Sequence, residues 1–153
     1  MTDTIYATDT SQRAPASYWA IAVAGALWNS FGAYDYLMTR TENREYLGQM
    51  GDPQALLDWI DSFPLWSQIC WGLGVWGSVL GSVLMLVRSR HAATAFAVSL
   101  VGAVLSLGYT ALANPMPAGM ESAVGKVMPL VIIAVVAALW WYCRRAFAKG
   151  WLK

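Results

Sequence analysis

Asn29, Asp35 and Tyr36 are the side chains best placed to do chemistry, because they fall inside an apolar run from Tyr18 to Met38 that is long enough to cross a bilayer. Their frame reads Trp28-Asn29-x-x-Gly32-x-x-Asp35-Tyr36. A carboxylate within a span costs roughly 2.5 to 3.5 kcal/mol on insertion scales, and such residues face protein or a water-filled cavity and mark ligand or proton paths. Gly25, Asn29, Gly32 and Tyr36 recur at i, i+4, i+7 and i+11, so they share one helix face with Asp35 at its edge. Small residues there let another helix come close and shield the amide and the carboxylate from lipid. This set offers recognition: hydrogen bonds to a hydroxylated ligand or charge pairing with a cationic one. The plainer roles are interhelical hydrogen bonding for Asn29 and structural anchoring for Asp35.

If the spans pack antiparallel in chain order, Gln68, Tyr109 and Thr110 reach the same outer level, and Lys126 comes within pairing range of Asp35. Asn29, Asp35, Tyr36, Gln68 and Tyr109 therefore form the candidate ligand-binding set. Gly25, Gly32, Gly74, Gly77 and Gly81 form the candidate helix-packing set, and Gly77-x-x-x-Gly81 is a small-x-x-x-small motif that favours close packing inside the protomer over a dimer seam. Trp28, Trp71 and Trp76 lie near these glycines, where a flat ring can fill the space they leave, the plainer role, or stack on a sugar or an aromatic ligand.

Other chemistry has no support in the residue pattern. There is no G-x-S-x-G, no Ser/His/Asp set, no pair of carboxylates within a span and no glycine-rich phosphate loop, so the chain reads as a non-enzyme without catalytic residues. Cys70 and Cys143 stand apart and His91 is the only histidine, a pattern that calls for neither metal nor cofactor.

The elements that must position the candidates follow from composition. With 58% hydrophobic and 12% charged residues, the chain is more apolar and less charged than an average soluble domain, at roughly 45 to 50% and 25%. A net charge of +1 without a basic run makes nucleic acid an unexpected partner. Four apolar stretches, about 17–38, 64–87, 92–112 and 128–147, each approach the ~20 residues that cross a bilayer as helix. The expected fold class is all-α: a four-transmembrane-helix bundle over 17–147, with a polar N-terminal tail at 1–16 and a basic C-terminal tail at 148–153.

The connection after the first span carries its own helix signal. Asp52 suits an N-cap, Pro53 the first helical position, and Leu56, Ile60 and Phe63 recur at i, i+4 and i+7, which predicts a short amphipathic helix over about 53–62 at the outer interface. The Asn114-Pro115-Met116-Pro117-Ala118-Gly119 link is expected to be extended or turned. Four spans put both termini and the 88–91 link on one side. That side collects Arg13, Arg88, Arg90, Arg144, Arg145, Lys149 and Lys153, while Arg40, Arg44 and Lys126 fall opposite. Seven against three places both termini in the cytoplasm under the positive-inside rule.

Trp28-Asn29-x-x-Gly32-x-x-Asp35-Tyr36-x-x-Thr39, Phe63-Pro64-x-Trp66, and Val75-Trp76-Gly77 leading to Leu80-Gly81-Ser82 resemble a group of small four-helix bacterial inner-membrane proteins provisionally labelled "sugar transporter". The resemblance implies a multi-pass protein of the bacterial inner membrane and brings no residue roles with it. Pro53-Gln54 lies in the polar connection, so it does not reproduce the intramembrane Pro-Gln hinge of three-helix sugar-transport subunits. Two functional expectations stand. One is binding or transport of a small sugar-like or cationic solute through an outward-facing Asn/Asp/Tyr pocket, which in so small a protomer calls for a homo-oligomer. The other is a non-catalytic accessory subunit of a larger membrane complex.

The charge split has a direct test. A periplasm-active phosphatase fused after Lys153 is expected to be inactive, and one inserted near Gly51 active; the reverse pattern inverts the orientation.

Overall fold

The structure, a computed structural model, describes residues 13–116 and 123–153, which form six helices and no strand. They are α1 (Ala16–Arg40), α2 (Arg44–Leu47), α3 (Pro53–Asp61), α4 (Leu65–Leu86), α5 (Ala92–Leu112) and α6 (Ala123–Ala148). Residues 1–12 of the expected N-terminal tail, and Pro117, Ala118 and Gly119 of the expected turned link, lie outside the described residues. Three helical stretches, Leu65–Leu86, Ala92–Leu112 and Gly125–Ala148, are long and apolar enough to cross a membrane. Helix α1 has the length, at 25 residues, but interrupts its apolar sequence with Asn29, Asp35 and terminal Arg40.

The long helices pack in the order α1, α4, α5, α6, each antiparallel to the next. Close approach of α4 and α5 sets the spacing. A Cβ added to Gly74 would lie 3.1 Å from the Ala103 nitrogen, one at Gly77 3.0 Å from the Ser99 Cβ, and one at Gly81 2.9 Å from the Phe96 ring. Gly102 answers from α5, where a Cβ would meet the Cys70 carbonyl oxygen at 2.6 Å and the Gly74 nitrogen at 2.8 Å. Backbone therefore faces backbone, which maximises dispersion contact between helices that gain little from hydrophobic exclusion in lipid. Ser99 fastens the seam by donating its hydroxyl to the Gly74 carbonyl.

Two of the expected packing glycines sit elsewhere. Gly25 faces the Leu139 side chain of α6, one methyl of which would lie 3.0 Å from an added Cβ. A Cβ added at Gly32 would meet nothing within 4 Å, so among the described residues no helix packs closely on that position. At the α1 start, Tyr18 donates to the Met85 carbonyl and joins a core with Phe96, Leu139 and Cys143. Both cysteines are free thiols.

Residues 149–153 do not hang loose as a tail. Gly150, in the left-handed region at φ 70, ends α6, and its reversal returns the chain to the α4–α5 turn. There Lys153 N–H donates to the Arg88 carbonyl and Arg90 N–H to the Lys153 carbonyl, both at 2.7 Å, while Leu152 is buried. Arg88 donates from Nε to the Trp151 carbonyl at 2.6 Å. Helix α6 starts earlier than the expected Met128 and contains Pro129, tolerated in a membrane helix where neighbours re-satisfy the backbone.

The glycines separate by environment, so their substitutions should too. Gly102→Ala is expected to lower stability by about 1 to 3 kcal/mol because a backbone carbonyl occupies the methyl's place. Gly32→Ala should be neutral or stabilising by up to about 1 kcal/mol, from helix propensity alone. Thermal unfolding of both variants in mild detergent checks the contrast.

Candidate functional site

Asn29 is buried, and its amide nitrogen is hydrogen-bonded across to α4. Its Nδ2 donates to Ser82 Oγ at 2.8 Å and shares the Ser78 carbonyl at 3.3 Å, while Ser82 Oγ itself donates to that carbonyl at 3.0 Å. These bonds span α1 and α4, and they satisfy an amide that bare lipid would leave unpaired. Asn29 fastens α1 to α4 and lines neither of the two cavities described below.

About 9 Å further along α1, Asp35 and Tyr36 point to different sides of the molecule, since successive helical residues diverge by about 100°. Asp35 opens on a partly open cavity of about 600 Å³ bordered by α1, α3, α5 and α6. Its carboxylate Oδ1 accepts a 2.7 Å hydrogen bond from the Tyr46 hydroxyl of α2, and its carbonyl accepts from Thr39 Oγ1 at 2.9 Å. Thr39, Ser106, Thr110 and Lys126 also line this cavity, along with Trp59, Trp71 and Phe63. The remaining wall is almost wholly aliphatic, including Leu56, Ile60, Leu107, Met128 and Ile132.

Helices α2 and α3 roof the cavity. Asn43 caps α2 by accepting from Tyr46 N–H, and Asp52 caps α3 by accepting from Gln54 N–H, each at 2.9 Å, with Pro53 opening the helix. Leu47, Leu56 and Leu57 cluster with Tyr46 and Trp59, so the pair forms a small packed unit. The apolar residues Leu56, Ile60 and Phe63 face the cavity. Three polar ties hold the roof: Tyr46 to Asp35, Trp59 Nε1 to the Asn114 carbonyl at 3.2 Å, and Asn114 Nδ2 to Ser62 Oγ at 2.8 Å.

Tyr36 and Gln68 belong to a second recess, of about 400 Å³, on the other side of the α1–α4 seam with Arg40, Leu65, Ile69, Gly72, Leu73 and Trp76. Tyr36 packs edge-on against Trp71 and Trp76, at 4.8 and 6.2 Å between ring centres. Tyr109 enters neither recess and instead lies edge-on between Phe63 and Trp66. The expectation of one pocket shared by Asn29, Asp35, Tyr36, Gln68 and Tyr109 is therefore corrected. Asp35 alone of the five lines the larger cavity, joined by Thr110 and Lys126 as the sequence suggested. Sequence reasoning missed Tyr46, because a short polar segment with no apolar period gives no sign of what it covers.

Among the described residues, no group of three or more His, Cys, Asp or Glu side chains gathers as a metal site would require. Comparison of the chain with protein-family models, with curated proteins and with solved structures gave no match.

The Tyr46 hydroxyl is pushed up from its ordinary value of 10.0 to about 12, first by burial and then by its hydrogen bond to Asp35. The folded chain thus holds that proton more tightly than the unfolded chain. Its contribution to stability is full below pH 10 and drains away as pH climbs toward 12. Tyr46→Phe is expected to cost about 1 kcal/mol at neutral pH and to remove one late-titrating phenolate from the absorbance titration. Loss of a phenolate that titrates near the ordinary 10.0 instead would place the Tyr46 hydroxyl in solvent.

Proposed function

We propose that this protein binds a small amphipathic molecule, uncharged or zwitterionic at its polar end, in the cavity beneath α2 and α3. The observation that carries this reading is the cavity wall, apolar around about 600 Å³ except for one carboxylate, one ammonium and three hydroxyls. Asp35 and Lys126 together add no net charge, which disfavours a polyamine. A free sugar would leave most of its hydroxyls against aliphatic side chains, at roughly 1 to 3 kcal/mol for each unpaired group. An aliphatic body with one hydrogen-bonding head matches the wall.

The setting we infer is a four-span bundle. Trp19, Val23, Leu27 and Phe31 are exposed at every fourth position of α1, a lipid-facing stripe on a helix whose 25 residues reach about 37 Å, more than the ~30 Å of hydrocarbon. Arg144 and Arg145 cover Trp140 and Trp141 at the end of α6, a fitting cytoplasmic anchor. With both termini cytoplasmic, the roof lies at the outer interface. Resemblance to the small four-helix proteins of the bacterial inner membrane supports that location, and movement of the bound molecule between the cavity and the bilayer follows from the position of the roof.

The test is thermal stabilisation in phosphatidylcholine nanodiscs with a monoacylglycerol, an alkyl betaine, spermidine and glucose. The first two are expected to stabilise the protein and the last two to have no effect. Leu107→Trp, which fills the cavity, should abolish the shift, and Asp35→Asn should weaken binding about tenfold by removing a charge-assisted acceptor. Stabilisation by glucose or spermidine alone would contradict the reading; no response to any of the four would favour an accessory subunit.

A further inference from the structure

The second recess has the build of a binding site, and it is separate from the cavity. Its polar end is Arg40, the last residue of α1. Gln68 aims that guanidinium: Gln68 Nε2 donates to the Phe63 carbonyl at 3.0 Å, which fixes the amide, and Gln68 Oε1 then accepts from Arg40 Nη1 at 3.1 Å. One of the five guanidinium N–H groups is engaged by this bond, and the exposed Arg40 side chain lines the recess. Beside it stands the start of α4, a 22-residue helix whose N-terminus has no side-chain cap, so its positive end adds to the field of Arg40. The polar end of the recess is cationic.

Below this mouth the walls are apolar. Leu65, Ile69, Leu73 and Trp76 run down α4 at helical spacing, opposite Tyr36, and all four are exposed. From Leu65 to Trp76 the path is about 16 Å along the helix, which matches the half-thickness of a ~30 Å hydrocarbon core. Tyr36 lies one turn, about 6 Å, below Arg40 on the same face of α1. Gly72 keeps the floor open, since a Cβ there would sit 3.3 Å from the Tyr36 hydroxyl.

We infer that this recess is a binding site for an anionic phospholipid. The phosphate accepts hydrogen bonds from Arg40 at the mouth, the ester carbonyls reach the level of the Tyr36 hydroxyl, and one acyl chain follows Ile69, Leu73 and Trp76 toward the bilayer centre. A cation over a one-leaflet groove complements the charge and the length of such a lipid, whereas a free phosphate has no use for the groove. The inference rests on α4 crossing the membrane and is independent of what the larger cavity holds.

Native mass spectrometry in mild detergent with equal phosphatidylglycerol and phosphatidylcholine of matched chains tests it. The wild-type protein is expected to retain phosphatidylglycerol several-fold over phosphatidylcholine. Arg40→Gln should equalise the two, and Ile69→Trp, which crowds the groove without touching Arg40, should reduce retention of both. Both residues are exposed, and the thermal unfolding midpoint in mild detergent should match the wild type in each variant, which reports that the fold is intact. Unchanged selectivity in Arg40→Gln would overturn the site. Displacement of the lipid by inorganic phosphate alone would also overturn it, because the groove would then contribute nothing.

Discussion

Close contact between α4 and α5, backbone on backbone at Gly74, Gly77 and Gly102 and backbone on the Phe96 ring at Gly81, fixes the geometry on which the rest of the bundle depends. A side chain would push the helices apart at Gly81 and Gly102 and crowd them at Gly74 and Gly77, so the four positions together set the separation and register of the pair. Helix α4 then serves as the reference for α1. Ser78 and Ser82, brought into alignment on α4, hold Asn29, and that buried hydrogen-bonded trio sets how far α1 slides along its partner. A slip by one turn would orphan the Asn29 amide in an apolar setting, at a cost comparable to several lost contacts.

With the register of α1 set at Asn29, its outer end divides the molecule into two sides. Asp35 turns toward α3, α5 and α6, where Tyr46 from the roof reaches it. Tyr36 and Arg40 turn toward the lipid-facing side of α4. One helix thereby serves a covered cavity with no net charge and an open recess that is cationic, and adjacent residues carry the two roles. The roof is attached mainly by side-chain hydrogen bonds and aromatic edges, a lighter connection than the glycine seam.

Much of this was legible from residue order. Run lengths gave the long helices, the Asp52-Pro53 pair gave the start of α3, and the glycine spacing in α4 marked the seam. Asn29 was legible as an interhelical hydrogen bonder, though its partners were not. What periodicity could not supply was the separation of Asp35 from Tyr36, because a shared stripe on one helix says nothing about how many neighbours divide it. Gly32 misled for the same reason: a small residue permits close approach but does not bring a partner. The short α2, the docking of Leu152 and the Tyr46 tie arise from contacts distant in sequence, which leave no local pattern.

The most direct measurement of the central claim is an experimental density map of the protein extracted from its own membrane in nanodiscs, at a resolution that shows side chains. The account predicts elongated non-protein density beneath α3, with its polar end between Asp35 and Lys126 and its body against Leu107 and Ile132. A cavity collapsed by inward movement of α3, or one filled only by discrete waters, would contradict it.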